Sequence, residues 1–256
     1  MIKPGICSIT FRDETPESLI QLSSEAGLVG IEWGSDVHVP LEDLENARKV
    51  GDQTREAGLE VAGYGSYYMG RESADEEPVP FEPILQAAEA LGAPVIRIWA
   101  GSLTQEKSET HFESVVRRSR EAAAMAADKG IEVAFEFHRN TFTETLEEAL
   151  RLMEAAQHPN LKMYWQPPHG SPLEQRLQEI EAFKGCLSNI HVFHWEGAPK
   201  PPFPRLALSE GTDLWKPCLD SIAAIPDDRY ALLEFVPNNS VEQFQQDAQT
   251  LISWLS

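Results

Sequence analysis

Short apolar runs alternate along this chain with longer segments whose apolar residues recur every three to four positions. The runs are KPGICSI (3–9), GLVGIEW (27–33), LEVAGYG (59–65), PVIRIWAG (94–101), IEVAFEFH (131–138), LKMYWQ (161–166), LSNIHVFHW (187–195) and RYALLEFV (229–236). Each has the length of a strand. Between them lie PESLIQLSSEAG, LEDLENARKVGDQTREAG, FEPILQAAEALG, a segment from about Thr104 to Lys129, TETLEEALRLMEAAQ, PLEQRLQEIEAF, LWKPCLDSIAAI and VEQFQQDAQTLISWL, which read as amphipathic helices. Gly27, Gly58, Gly92 and Gly130 each close a helical segment just before a strand, where a left-handed residue is wanted. Strict β–α alternation predicts a parallel sheet with right-handed crossovers. Eight pairs in 256 residues, about 32 residues each, predict an α/β fold of one domain spanning 1–256, a closed (β/α)8 TIM barrel. The Pro-rich PKPPFP (199–204) falls after the seventh strand and reads as a long loop over the barrel mouth.

Side-chain parity then sorts the strands. Val133, Phe135 and Phe137 share one face of the fifth, Ile190 and Val192 of the seventh, Leu233 and Phe235 of the eighth, Met163 and Trp165 of the sixth, Ile96 and Ile98 of the fourth, and Ile31 and Trp33 of the second. Those faces suit the layer beneath the helices. The opposite parity sends Glu32, Arg97, Trp99, Glu136, His138, Tyr164, Gln166, His191 and Glu234 into the barrel. Buried carboxylates are costly unless paired, protonated or metal-bound, so this convergence predicts a functional site at the strands' C-terminal ends. A salt-bridged polar plug, with Arg97 neutralising one glutamate, is the competing reading. Five of the seven histidines, all but His111 and His158, also fall near strand ends. Cys7 reads as packing.

Composition narrows the classes. A net charge of −20 repels nucleic acid and anionic membranes. No stretch approaches the ~18 apolar residues of a membrane span. No GxGxxG or GxxxxGK[ST] follows any strand. Three scattered cysteines without a CxxC, and an N-terminus without an apolar leader, predict a reducing, cytoplasmic setting and no cysteine-based zinc site.

The runs EFHRNTFTET (136–145), WQPPH (165–169), IHVFHW (190–195), EGTDLW (210–215) and LLEFV (232–236), with GIEW (30–33) and VIRIWAG (95–101), resemble the xylose-isomerase-like barrel superfamily, in its sugar phosphate isomerase/epimerase branch. The resemblance spans the whole chain. It implies a divalent ion held by Glu136, His191 and Glu234, with Gln166 where the family has Asp. Mn²⁺ or Mg²⁺ fits an oxygen-rich set best, with Co²⁺ and Zn²⁺ as alternatives, and the lost charge at Gln166 lowers the expected affinity. The resemblance also implies substrate contacts from His169 and Arg205, with His194 standing where Asp is common; the inward Glu32, Arg97, Trp99 and His138 are further candidate substrate contacts. Lys200 and Arg205 on the seventh loop are candidates to meet an anion.

The activity so implied is isomerisation or epimerisation of a sugar or sugar phosphate. An α-proton is abstracted, an enediolate forms, and Glu136 and Glu234 act as base and acid from opposite sides. A lyase sharing the first step is the alternative: an inosose-type dehydratase, or β-elimination from a 3-keto-glycoside, with His169 or His194 as acid. A non-catalytic sugar-binding barrel is a third reading. An abasic-site endonuclease, also found in the superfamily, is disfavoured by the charge. The expected partner is a small carbohydrate, and homo-oligomers are common in the family.

Overall fold

The structure is a computed structural model that describes residues 1–70, 79–101, 108–195 and 203–256. Eight parallel strands close into a barrel in chain order: β1 (Ile2–Cys7), β2 (Gly30–Gly34), β3 (Glu60–Gly65), β4 (Val95–Ile98), β5 (Glu132–Glu136), β6 (Leu161–Trp165), β7 (Leu187–Val192) and β8 (Arg229–Leu233), with β1 paired to β8. Helices α1 (Pro16–Glu25), α2 (Leu44–Glu56), α3 (Glu82–Leu91), α4 (Glu109–Ala127), α5 (Leu146–Ala156), α6 (Leu173–Phe183), α7 (Thr212–Ala223) and α8 (Val241–Leu255) form the outer ring. The barrel predicted from the β–α alternation is the observed fold.

Local chemistry fixes where the helices begin and end. Thr15, Asp43, Ser108, Thr145 and Ser240 each accept a backbone N–H from the first turn of the helix they precede. Such caps are worth about 1 kcal/mol each. The expected closing glycines are all left-handed, with φ of 77°, 78°, 77° and 69° at Gly27, Gly58, Gly92 and Gly130. The fourth helix starts at Glu109 behind its Ser108 cap, later than the periodicity suggested; residues 102–107 and Lys200 lie outside the described residues.

Two apolar layers separate as the parity required. Trp33, Ile96, Ile98, Val133, Phe135, Phe137, Met163, Trp165, Ile190, Val192 and Leu233 pack outside the barrel against the helices. Inside it, Cys7, Ala62, Val95, Ala134, Tyr164 and Leu232 fill the lower interior. Above Ala62, Asn189 closes this layer: its Nδ2 donates to Ala62 O at 3.0 Å and to the Tyr164 hydroxyl at 2.6 Å. The lower interior is therefore filled, with the amide of Asn189 satisfied by these bonds, and the charged side chains of the site gather at the C-terminal ends. The parity reading failed at Phe235. β8 ends at Leu233, Phe235 takes φ 56°, and its ring turns to the cavity instead of the outer face.

Candidate active site

The end of β5 is set by its own loop. Thr143 Oγ1 donates to Glu136 O at 2.5 Å and Thr141 Oγ1 to His138 O at 2.6 Å, while Asn140 takes the left-handed conformation the turn needs. Thr141 and Thr143 are fully buried, so the NTFT stretch is a fixed bracket behind Glu136. On β6, Trp165 is held outside by its indole bond to Glu179 Oε2, 3.0 Å, which leaves Gln166 to enter the mouth. The β2–β3 and β6–β7 ladders both shift register, at Ile31/Glu32 and Met163/Trp165, next to the two strand ends that present Glu32 and Gln166.

Six buried polar side chains meet there: Glu32, Arg97, Glu136, Gln166, His191 and Glu234. Arg97 lies between two carboxylates. Its Nε donates to Glu32 Oε1 at 3.0 Å and its Nη1 to Glu136 Oε2. Gly65 makes room for this pair; a Cβ there would stand 2.6 Å from Arg97 Nη2 and 2.9 Å from Glu32 Oε1. Glu136 also accepts Trp99 Nε1 on Oε2 at 2.6 Å and Gln166 Nε2 on Oε1 at 2.9 Å. Glu234 differs: among the described residues nothing donates a hydrogen bond to its carboxylate, and His191 Nδ1 stands 3.7 Å from its Oε2.

The electrostatics follow these contacts. Burial pushes every carboxyl in the site upward. At Glu136 the Arg97 charge and the His191 contact overcome it and hold the group well below the usual carboxylate range. At Glu32 Arg97 and His191 also win, and its pKa is lowered. For Glu234 burial, reinforced by repulsion from Glu136 and Glu32, outweighs the attraction of His191 and Arg97, so its pKa is raised. Environment thus separates the two glutamates: Glu136 is held down and Glu234 is pushed up. Cys7, which reads as packing in the sequence, lies against His191; burial pushes its thiol up to about 12.

His191 bears on a metal ion. Its Nε2 faces Glu32 Oε2 at 3.5 Å, and its Nδ1 faces Glu136 Oε1 and Glu234 Oε2 at 3.7 Å each. Nδ1 is buried, and among the described residues it has no hydrogen-bond partner. A lone pair aimed at two carboxylates is repulsive unless positive charge lies between them, and either a proton or a cation supplies it. Ligand atoms of Glu136, His191 and Glu234 lie within 4.8 Å of one another, as one ion would require. Three carboxylates against one guanidinium leave about −2, which a divalent cation would match; without one, burial lowers the His191 pKa but Cys7, Glu234 and Glu32 raise it well above the ordinary histidine value, and a proton on the imidazole offsets part of the charge. Cys7, Glu32 and His191 also cluster within 4.8 Å, but Glu32 is engaged by Arg97 and the thiol stays protonated, so the oxygen-rich trio is the better fit. Gln166 currently donates to Glu136; ligation would require its amide to turn its oxygen inward.

Above these groups opens a cavity of about 500 Å³, lined by the segments after β5, β6, β7 and β8. Of the residues expected to contact substrate, His138 and His169 line it. His138 stacks on Trp99 with ring centroids 4.7 Å apart. His169 stacks on Trp195 at 4.8 Å. Glu32 and Arg97 sit deeper, engaged with His191 and Glu136. Arg205 lies over the Phe235 ring at 4.5 Å and donates to Asn239 Oδ1 at 2.7 Å. His194 is not brought to this cavity: it is buried behind β7 against Gly211, near Asp247. Sequence parity missed Trp195, Phe203 and Phe235, which form the cavity's aromatic wall. Loop residues obey no strand parity, so the pleat carried no advance signal for Trp195 and Phe203.

His169 is driven down to about 4 by burial first, then by Arg139 and His138, and is neutral at pH 7. A depressed folded-state pKa contributes stability that is whole above the free value near 6.5 and is lost as pH falls toward 4. The group is only half-buried, so solvent reduces the effect to about 1 kcal/mol. Urea titrations should show wild type losing that much more stability than His169→Gln between pH 6.5 and 4; parallel curves would refute the assignment.

Comparison with known proteins agrees with this architecture. The 3-dehydroshikimate dehydratase of Bacillus anthracis is 28% identical over 207 residues, 76% of this chain and 71% of that protein. An inosose dehydratase of Lactiplantibacillus plantarum is 29% identical over 175 residues, 59% of this chain and 56% of that one. The solved structure of the probable 3-DHS dehydratase AsbF from Bacillus anthracis superposes with a TM-score of 0.80 at 20% identity, covering 98% of this chain and 99% of that one. Two other barrels of this fold carry metals: one from Mycobacterium smegmatis in complex with magnesium (TM-score 0.71, 14% identity, 100% and 97% covered) and the IOLI protein with zinc (TM-score 0.79, 16% identity, 100% and 98% covered). The family model described as xylose isomerase-like TIM barrel matches residues 20–255, and the chain belongs to that family.

Proposed function

We propose that this protein is a lyase that removes water from a hydroxylated ketone, by taking the proton next to the carbonyl and expelling the β-hydroxyl. The observation that carries this reading is the inequality of the two glutamates. Epimerisation across a planar intermediate uses two groups that exchange protons, one on each face. Glu136 has both oxygens engaged by Arg97, Trp99 and Gln166 and is held ionised, so its capacity to shuttle a proton is small. Among the described residues nothing donates a hydrogen bond to the Glu234 carboxylate, and its pKa is raised. One proton-exchanging carboxylate suffices for elimination. Glu234 removes the proton from the α-carbon, the C–H electrons form the enolate, and the β C–O bond breaks to give the enone. The proton held on Glu234 returns to the departing hydroxyl, which leaves as water.

His169, neutral at pH 7, serves as a hydrogen-bonding group to substrate hydroxyls, not as the acid. A divalent ion at Glu136, His191 and Glu234, with Gln166 as a fourth donor, would supply charge stabilisation for the oxygen on which negative charge accumulates. The Arg97–Glu136 pair keeps that carboxylate in place. Both curated relatives are named as dehydratases, which supports the choice.

The second reading, epimerisation, has one observation in its favour: Glu136 and Glu234 both stand 3.7 Å from the same imidazole nitrogen and so could flank one substrate. Incubating the protein with cyclic and open-chain hydroxyketones and Mn²⁺ in D₂O separates the two. We expect NMR and mass spectra to show an enone formed with loss of one water. Deuterium entering at carbon with all oxygens retained would overturn the lyase reading in favour of epimerisation.

A further inference from the structure

β8 stops one residue short of Glu234, and the turn that follows it is strained. Its last residue, Leu233, pairs with Ile6 of β1 and with Val192 of β7. On the β7 side the contact runs one residue further, because Glu234 N donates to Val192 O at 3.0 Å. On the β1 side the strand gives way after Cys7 to a 3-10 turn (Ser8–Phe11). There Phe235 takes φ 56°, a left-handed conformation that a bulky L side chain adopts only under constraint.

The constraint is Thr10. Its hydroxyl accepts the Phe235 N–H at 3.1 Å and donates to Leu233 O at 3.3 Å. One side chain thus bridges the residues on either side of Glu234 and stands in for a further rung between β1 and β8. Thr10 is 2% exposed, so water does not compete for these bonds, and it is not among the residues that line the cavity.

The turn that carries Thr10 is itself anchored. Ser8 Oγ accepts the Gly34 N–H at 2.9 Å and meets His38 Nδ1 at 3.0 Å, while His38 Nε2 meets Glu14 O at 3.1 Å. A carbonyl only accepts, so Nε2 carries the proton and Nδ1 receives the hydroxyl of Ser8. Burial lowers the His38 pKa, in keeping with this neutral ring. The 3-10 turn is therefore fixed to the end of β2 through Ser8 and to the end of β8 through Thr10.

Resting on the reading of Glu234 as the proton-transferring carboxylate, we propose that Thr10 is its positioning residue. The Thr10 hydroxyl holds the turn after β8 left-handed, which keeps the Glu234 carboxylate 3.7 Å from His191 Nδ1 and sets the Phe235 ring in the cavity wall, 5.7 Å from the Trp195 ring. Without the hydroxyl the turn relaxes toward the extended conformations that an L residue prefers, and both side chains leave their present faces.

The first measurement needs no substitution. NMR hydrogen exchange on the full chain should find the Phe235 amide protected about 100-fold or more relative to exposed loop amides; exchange at the exposed rate would overturn the proposal. Crystal structures of Thr10→Val, which keeps the shape and loses the hydroxyl, and of Thr10→Ser, which keeps the hydroxyl, form the second. In the valine variant Phe235 should leave the left-handed region and the Glu234 carboxylate should move, with neither change in the serine variant. A left-handed Phe235 and an unmoved Glu234 in Thr10→Val would overturn the proposal whatever the reaction is.

Turnover of the hydroxyketones with Mn²⁺ in D₂O is the third. A misplaced base should lower kcat about 100-fold in Thr10→Val while KM stays within about threefold, and Thr10→Ser should restore kcat. A role in stability alone would lower the melting temperature without that split. If none of the ketones is consumed, the lyase reading fails, and exchange and crystal structures still decide the role of Thr10. If the turn moves and turnover does not, an inactive Glu234→Gln overturns the positioning role, whereas an active Glu234→Gln sinks the base assignment alone.

Discussion

Replacing Glu234 with Gln should reduce turnover by about 10⁴-fold, the upper end of what a single positioned base contributes, without unfolding the protein. Gln has the same shape and cannot accept a proton. The carboxylate it replaces takes no hydrogen bond among the described residues and is repelled by Glu136 and Glu32, so its loss orphans no donor. The metal-free variant should therefore melt no lower than wild type. Glu136→Gln should behave in the opposite sense. Its carboxylate is the counter-ion of Arg97 and the acceptor for Trp99 and Gln166, and removing one partner of a buried pair costs about 3–5 kcal/mol. Steady-state rates and thermal melts of both variants form one experiment. If Glu234→Gln keeps more than a tenth of wild-type turnover, or if the two variants lose stability equally, the division of labour between the glutamates is wrong.

That division shows where sequence reasoning reached and where it stopped. Strand parity depends only on the pleat, so it predicted the convergence of Glu32, Arg97, Glu136, Gln166, His191 and Glu234 correctly, and their burial together bears this out. The salt-bridged plug of the competing reading is present in part, since Arg97 pairs with both Glu32 and Glu136 while, among the described residues, it makes no salt bridge to Glu234. What parity could not supply was the hydrogen-bond inventory. Two glutamates at equivalent strand ends look alike in sequence, and the placement of Arg97, Trp99 and Gln166 around Glu136 separates them. Parity also ends with the ladder. Phe235 is two residues beyond β8 and left-handed, so it reverses face. His194 leaves β7 on the outer side and packs under the segment that carries Gly211. Cys7 obeyed the expected packing role yet touches the imidazole, a proximity between β1 and β7 that is set by barrel closure and carries no local signal.

Gln166 is where the donor set departs from four charged or imidazole ligands, and its consequences can be argued through. Its Nε2 donates to Glu136 Oε1 at 2.9 Å, so in the metal-free protein it stabilises that anion. An aspartate at this position would remove the donor and add a third uncompensated negative charge to a buried site. The metal-free Gln166→Asp variant should be less stable by about 2–3 kcal/mol, the scale of a lost hydrogen bond to a charged group. A divalent ion reverses the sign of that change, because the added charge then faces a cation, so Mn²⁺ affinity should rise about 10- to 100-fold. Stabilisation by bound ion grows with the ratio of free ion to Kd, so the variant's melting temperature should fall below wild type in chelator and recover, or pass it, in saturating Mn²⁺. Titration calorimetry with Mn²⁺, paired with melts in both conditions, reads all three effects. Unchanged affinity together with an unchanged metal-free melt would mean that residue 166 faces neither Glu136 nor an ion. Weaker Mn²⁺ binding by the aspartate variant would move the ion away from Glu136, His191 and Glu234.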